Sequence, residues 1–196
     1  MDSLALVFSN GWASGVNAYL VVLVLGLADR IGGFAQIPDV LGRTDVLAAA
    51  ALLYALEFVA DKIPYLDSTW DAVSTAIRPT VGAVIGVLLA GEADSLDAAV
   101  AGVVGGGAAL ASHLVKMGGR LAINASPEPV TNVTASLAED VTVLGVVWFA
   151  IEHPEAAAVI AGLLLVAGAA VVWWLLRLVR RGRRHWRARI EARQRR

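Results

Sequence analysis

"LEFVADKIPYLDSTWDAV", residues 56–73, decides the fold, because it separates two apolar runs that are each about as long as a bilayer crossing. It carries five charged side chains: Glu57, Asp61, Lys62, Asp67 and Asp71. Charged groups are expensive in hydrocarbon, so those inside membrane proteins usually pair with each other or face water. The stretch therefore predicts a membrane protein with a polar interior.

The composition supports an integral membrane protein and excludes an ordinary soluble domain. Of the 196 residues, 58% are hydrophobic, and the mean hydropathy is +0.68. Cysteine is absent, which excludes disulfides and thiolate metal sites. We expect one transmembrane domain, residues 1–176, followed by an Arg-rich helical tail, residues 177–196.

Hydropathy predicts an all-α, polytopic fold with about six transmembrane segments. Their approximate ranges are 4–28, 46–63, 70–90, 97–116, 130–151 and 155–176. The first segment contains "SNGWASGVNAYL" (9–20), which is rich in glycine, serine and asparagine. Such a stretch predicts a broken or re-entrant helix whose backbone lines a cavity. The alternative is that Gly11 and Gly15 only allow close helix packing.

The distribution of basic residues predicts the orientation. The tail holds ten arginines, which favours a cytoplasmic location. Six crossings then put the N-terminus in the cytoplasm as well. The loops 91–97 and 151–155 carry only acidic charges and would face outside, although Arg30 and Arg43 in the loop 29–45 do not fit this pattern.

A faint internal repeat is present. Residues 72–88 and 132–148 align at an offset of 60 residues, with identities only at Val73/Val133 and Val81/Val141. Transporters often contain two halves of inverted topology. We therefore consider a three-plus-three inverted repeat.

Charged and polar residues within the apolar segments predict a polar pathway for a cation, a proton or a small solute. The candidates are Asn17, Glu57, Asp61, Asp71, Arg78, Glu139 and Asp140. Acids outnumber bases in this set, and Arg78 is the only deeply placed base. An unpaired carboxylate must be protonated, hydrated or neutralised by a cation. The alternative is a set of structural ion pairs, such as Arg78 with Glu139 or Asp140. Asn132, Ser136 and Asp140 recur every four residues and form a polar stripe.

A second group of residues predicts a phosphate or lipid-headgroup site. It consists of Lys62, Lys116, Arg120 and Ser126, where Ser126 would start a helix. The alternative for the bases is ordinary anchoring at the cytoplasmic interface. Three scattered histidines form no metal motif, and His113 is expected to be a hydrogen-bonded helix residue. The sequence has no catalytic motif, so we expect neither an enzyme nor a cofactor.

Four stretches resemble the DUF4126 family of bacterial membrane proteins, a domain of unknown function. They are "SGVNAYL", "EFVADKIPYLDSTWD", "IRPTVGA" and "SPEPVTNVTASLAED", and the likeness covers about residues 5–150. The resemblance implies a small protein with several spans in the bacterial inner membrane. It implies no activity.

These observations favour a small transporter or channel. The alternatives are a protein that binds or handles lipid headgroups and a scaffold whose basic tail recruits a cytosolic partner. Few helices build little pathway alone, so we expect a homo-oligomer. We expect the tail to bind anionic lipid and not nucleic acid.

Overall fold

The computed structural model describes residues 2–63, 65–91, 94–124 and 129–194. Within these ranges the chain forms helices and no strands, which confirms the all-α fold. The helices are α1 (Asp2–Gly32), α2 (Thr44–Ala60), α3 (Leu66–Leu89), α4 (Ser95–Ile123), α5 (Pro129–Glu152) and α6 (Pro154–Gln194). By length and composition, α1, α3, α4, α5 and α6 could each cross a membrane. Helix α2 is shorter, with 17 residues, or about 25 Å.

Helix α1 is broken at Asn17, within the stretch 9–20 for which the sequence analysis considered a broken helix. The backbone of Asn17 is extended, with φ of −151° and ψ of 94°. Its side-chain Oδ1 accepts a 3.0 Å hydrogen bond from the backbone N–H of Leu20. Asn17 therefore caps the N-terminus of the second half of α1. Two helical halves, residues 2–16 and 18–32, meet at this residue.

The other helices define two ends of the bundle. One end of the bundle contains the end of α2, the start of α3, the end of α4 and the start of α5. We call it the Asp67 end. The loop between α3 and α4, with Gly91, and the junction of α5 with α6 mark the opposite Gly91 end. Helices α2 to α6 therefore alternate in direction between these two ends.

Both halves of α1 lie between Asn17 and the Gly91 end. In the first half, Gly11 packs against Gly105, and Gly15, further along, packs against Ala109 and Ser112. The first half therefore runs parallel to α4, toward the Asp67 end. In the second half, Gly26 packs against Leu41 and Leu47, at the beginning of α2.

The loop that follows α1 stays at the Gly91 end. The Gln36 side chain donates a 2.9 Å hydrogen bond to the carbonyl of Ile151, at the end of α5. Helix α1 is therefore a re-entrant hairpin with Asn17 at its tip. The chain enters at the Gly91 end, and α6 leaves at the Asp67 end. The start of α1 and the end of α6 therefore lie at opposite ends of the bundle, whereas the sequence analysis expected both termini on the cytoplasmic side.

The hairpin fills the Gly91 half of the bundle and forms the apolar core there. Core residues come from both of its halves, including Val7, Val21 and Leu25, and from its neighbours, including Ile85 and Val147. Glycine allows the close approach of helices: a methyl group added at Gly11 would lie 2.8 Å from the Cα of Gly105. Small residues therefore serve helix packing, as the alternative interpretation of their spacing predicts.

The structure does not support an inverted repeat built on the aligned stretches. Residues 72–88 lie in α3 and residues 132–148 lie in α5. Both helices begin at the Asp67 end and run in the same direction, whereas inverted halves would place them in opposite directions. The inverted repeat is therefore not confirmed, since two shared valines in apolar helices carry no information about helix direction.

Candidate functional site: a buried charge cluster

Nine charged side chains gather between the hairpin tip and the Asp67 end. This charge cluster consists of Glu57, Asp61, Asp67, Asp71, Arg78, Lys116, Arg120, Glu139 and Asp140. All are buried except Glu139, whose side chain is 24% exposed. The cluster lies where α1 is absent from the bundle centre, so charged side chains occupy the space that a central helix would fill.

Arg78 connects α3 to α2 and to the hairpin. Its guanidinium forms an ion pair with Glu57 and another with Oδ1 of Asp71, 2.9 Å away. It also donates a 3.4 Å hydrogen bond to the carbonyl of Gly15. The sequence alternative of pairing Arg78 with Glu139 or Asp140 was wrong, because helical spacing alone does not tell which neighbouring helix an arginine faces.

His113 is held in one tautomer by its neighbours. Arg78 Nη1 donates to Nδ1 of His113 over 2.8 Å. Since Nδ1 accepts, the proton of the neutral ring lies on Nε2, which donates to Oγ1 of Thr75 over 3.0 Å. The Thr75 hydroxyl in turn donates to the carbonyl of Asp71. His113 is thus a hydrogen-bonded helix residue, as predicted.

Lys116 joins four elements at the centre of the cluster. Its Nζ lies 2.7 Å from Oδ2 of Asp61 and 3.4 Å from Oε2 of Glu139. It also donates a 3.0 Å hydrogen bond to the carbonyl of Val16. Together with Arg78, Lys116 places positive charge against the last carbonyls of the first half-helix, where backbone acceptors lack helical partners.

Arg120 extends the cluster toward the Asp67 end. Nη2 binds Oε2 of Glu139 at 2.7 Å, and Nη1 donates to the carbonyl of Asp61 at 2.9 Å. Asp61 lies in the turn after α2. Burial would raise the pKa of its carboxyl, but the positive charges of Lys116 and Arg120 outweigh that effect and hold the pKa below its usual value.

Asp67 closes the cluster at this end. Its carboxylate accepts hydrogen bonds from the side-chain amides of Asn124, at 2.9 Å, and Asn132, at 3.2 Å, and lies 3.7 Å from Arg120. These contacts join the start of α3, the end of α4 and the start of α5. The sequence analysis did not include Asp67 among the candidates, because an acid beside a turn is usually exposed.

Asp140 differs from the other acids of the cluster. Oδ1 accepts a 2.9 Å hydrogen bond from the side-chain amide of Asn17, and no ion pair within 4.0 Å is found for it among the described residues. This contact also places Asp140 beside the N-terminus of the second half-helix, which favours negative charge.

The cluster contains six carboxylates and three cationic side chains. Acids do outnumber bases, as expected, but the expectation of Arg78 as the only deep base was wrong, because Lys116 and Arg120 are also buried. Several buried carboxylate oxygens of the cluster accept no hydrogen bond from any described residue. One of them, Oδ1 of Asp71, has the Arg78 guanidinium 2.9 Å away. The others are Oε2 of Glu57, Oδ1 of Asp61, Oδ2 of Asp71 and Oδ2 of Asp140. Such oxygens need a proton, water or a cation.

The residues assigned to a phosphate site have other partners. Lys116 and Arg120 face carboxylates, as described. Lys62 donates to the carbonyl of Phe58 at 2.9 Å and to Ser136 at 3.3 Å. Ser126 lies outside the described residues. An anionic headgroup at these bases stays a prediction.

Sequence reasoning found every charged member of the cluster except Asp67, although it assigned Lys116 and Arg120 to a different site. It gave no role to Thr75 or Asn124, which carry no charge and show no periodic signal. The stripe of Asn132, Ser136 and Asp140 was the usable signal for α5, since Asn132 binds Asp67 and Ser136 binds Lys62.

The described residues contain no group of three or more histidine or acidic side chains with the geometry of a metal site. No curated protein and no solved structure matches the chain. One protein-family model, described as "Domain of unknown function (DUF4126)", matches residues 4–175. This match extends beyond the predicted likeness, through the apolar part of α6. The chain, a helical membrane protein with buried charged residues, therefore belongs to the DUF4126 family.

Proposed function

We propose that the protein is a transporter, not an enzyme, and that its charge cluster carries a proton or a small cation across the membrane. The observation that carries the proposal is the excess of carboxylates in the charge cluster around the hairpin tip: six, of which five are buried, against three buried cations. A purely structural cluster would be expected to balance its charges, because each unpaired ion in the interior is costly.

Asp140 is the acid that this proposal assigns to the transported ion. Its partner is the amide of Asn17, and its Oδ2 is buried and accepts no hydrogen bond from the described residues. A proton or a cation at Oδ2 would neutralise the charge. Carboxylates in membrane helices commonly have this role in proton relays.

The hairpin suggests alternating access and not an open pore. Polar side chains connect the Asp67 end to Asn17, but the Gly91 half is filled mainly by apolar residues of α1 and its neighbours. The buried Ser9 and Asn10 there bond to the backbone of their own helix. An ion that reaches Asp140 from the Asp67 end therefore meets the hairpin. Broken helices that surround a midplane site are a common device of transporters. We propose that the hairpin shifts against α5 to release the ion at the Gly91 end.

The orientation follows from the Arg-rich tail. The C-terminal part of α6 extends past the Asp67 end. In the sequence, residues 177–196 hold ten arginines. We propose that the Asp67 end faces the cytoplasm of a bacterial cell, where the tail binds anionic lipid. The start of α1 then faces outside. We also propose that the protein works as a homo-oligomer.

Flux measurements in liposomes test the function. Purified protein is reconstituted with either a pH-sensitive or a cation-sensitive dye inside the vesicles, and proton or cation flux is driven by a membrane potential. We expect flux above protein-free vesicles for the natural sequence and loss of that flux for Asp140→Asn, alone or with Glu139→Gln. Asp97→Asn is the matched control, because Asp97 is exposed at the start of α4. Background flux for all variants would refute the proposal.

A further inference from the structure

A cleft of about 290 Å³ lies beside the charge cluster, between α4 and α6. Most of its wall is apolar, with Val16, Val115, Leu164, Leu165, Val171 and Val172 among the lining residues. The hairpin explains why the cleft exists. Because α1 turns back at Asn17, no central helix continues between α4 and α6 toward the Asp67 end.

The cleft reaches the charge cluster through Glu139 and Lys116, which both line it. The two side chains differ strongly in exposure: Glu139 is 24% exposed and Lys116 only 2%. The neighbouring Arg120 is 0% exposed. The ion pairs of Glu139 with both cations use Oε2. The charged surface that a molecule in the cleft meets is therefore that of a carboxylate.

The chemistry of Glu139 limits what the cleft can hold. An ionised carboxylate only accepts hydrogen bonds, so the polar part of an occupant must donate them. The excess of acids in the cluster favours a positive charge there. The apolar walls favour an aliphatic chain, since burying it removes apolar surface from polar surroundings.

We propose that this cleft binds an amphipathic molecule with one aliphatic chain and an ammonium headgroup, which pairs with Glu139. The molecule enters from the bilayer, because Leu164 and Val171 of α6, 36% and 54% exposed, lie at the surface of the bundle. The binding site does not depend on ion transport, since it needs only the cleft and the charge of Glu139.

An anionic headgroup does not fit the same site. Lys116 and Arg120 are buried and already bound to Glu139 and Asp61. A phosphate or carboxylate in the cleft would meet Glu139 first and be repelled. Headgroup charge is therefore the property that an experiment must vary.

Photo-crosslinking in liposomes tests the site with two probes of equal chain length. One is a dodecylamine and the other a dodecanoic acid, each with a diazirine in the chain, and labelled peptides are identified by mass spectrometry. We expect the amine to label residues 164–172 of α6 and the acid to label them at least about tenfold less, which corresponds to ~1.4 kcal/mol. Excess unlabelled dodecylamine should remove the labelling.

Two variants test the site independently. Glu139→Gln should lower amine labelling about tenfold, and Val171→Trp should block the cleft without touching the cluster. Val166→Trp is the matched control on α6, because Val166 is 70% exposed and does not line the cleft. Equal labelling by both probes, labelling spread evenly around α6, or no effect of Glu139→Gln and Val171→Trp would overturn the proposal.

Discussion

The side-chain amide of Asn17 donates a 2.9 Å hydrogen bond to Oδ1 of Asp140, which ties the tip of the hairpin to the middle of α5. The same side chain caps the second half of α1 through Leu20. One residue thus sets both the backbone break and the position of the acid that we assign to the transported ion.

Replacing Asn17 with alanine should weaken both roles. We expect a loss of about 1–2 kcal/mol in stability from the missing N-cap and a clear change in proton or cation flux. Asn10→Ala is the matched control, because Asn10 is also buried on α1 but donates to Leu6 of its own helix. Thermal unfolding in detergent and liposome flux measure the two effects. Equal flux for Asn17→Ala and Asn10→Ala would contradict the role of Asn17.

Arg78 should be far more important for stability than an exposed arginine. Arg78→Met leaves Asp71 buried without its ion-pair partner and Glu57 with only the more distant Lys116, 3.8 Å away. Breaking a buried pair typically costs about 3–5 kcal/mol. The double variant with Glu57→Leu should recover part of that loss. Arg43→Met is the control, because the Arg43–Asp45 pair is 63% and 66% exposed and should have no measurable effect. Chemical unfolding compares all four proteins, and equal stability of the Arg78 and Arg43 variants would argue against the buried ion pairs.

The helices and most of the charged positions could be predicted from the sequence, since long apolar runs and charges within them are local features. The hairpin shows the limit of such reasoning. The pattern 9–20 indicated a break, but the direction after Asn17 depends on contacts of Gly26 with Leu41 and of Gln36 with Ile151, which are distant in sequence. For the same reason, the alternative that paired Arg78 with Glu139 or Asp140 named the wrong helix.

Glycine-to-alanine substitutions in α4 should distinguish the effect of close helix packing on stability from the effect of helix propensity. A methyl group at Gly105 would lie 3.3 Å from the Cα of Gly86 and would also strike the carbonyl of Gly82, so Gly105→Ala should destabilise the protein. Gly107 has open space around its Cα, and Gly107→Ala should be neutral or stabilise by up to ~1 kcal/mol. Melting temperatures in detergent measure the difference. A more stable Gly105→Ala protein would show that the α3–α4 contact is looser than described.

The contribution of Asp61 should depend on pH. Because its folded-state pKa is lowered, the ionised carboxylate contributes stability that is present above the unfolded pKa of about 3.9 and is lost as the pH falls through the folded value. Asp61→Asn should therefore destabilise the protein at pH 7, and the difference should shrink below about pH 4. Asp97→Asn, at an exposed position, is the control. A difference that stays constant from pH 7 to pH 3 would contradict this assignment.

The re-entrant hairpin makes a sharp prediction about sidedness. The natural chain lacks cysteine, so single cysteines can be placed without a background. Leu4 and Leu96, 44% and 71% exposed, lie toward the Gly91 end, whereas Tyr65, 62% exposed, lies at the Asp67 end. In oriented membrane vesicles, a membrane-impermeant maleimide should label Leu4→Cys and Leu96→Cys from the same side and Tyr65→Cys from the other. If Leu4→Cys instead labels together with Tyr65→Cys, α1 crosses the membrane. The re-entrant hairpin and the ion site proposed at its tip would then be refuted.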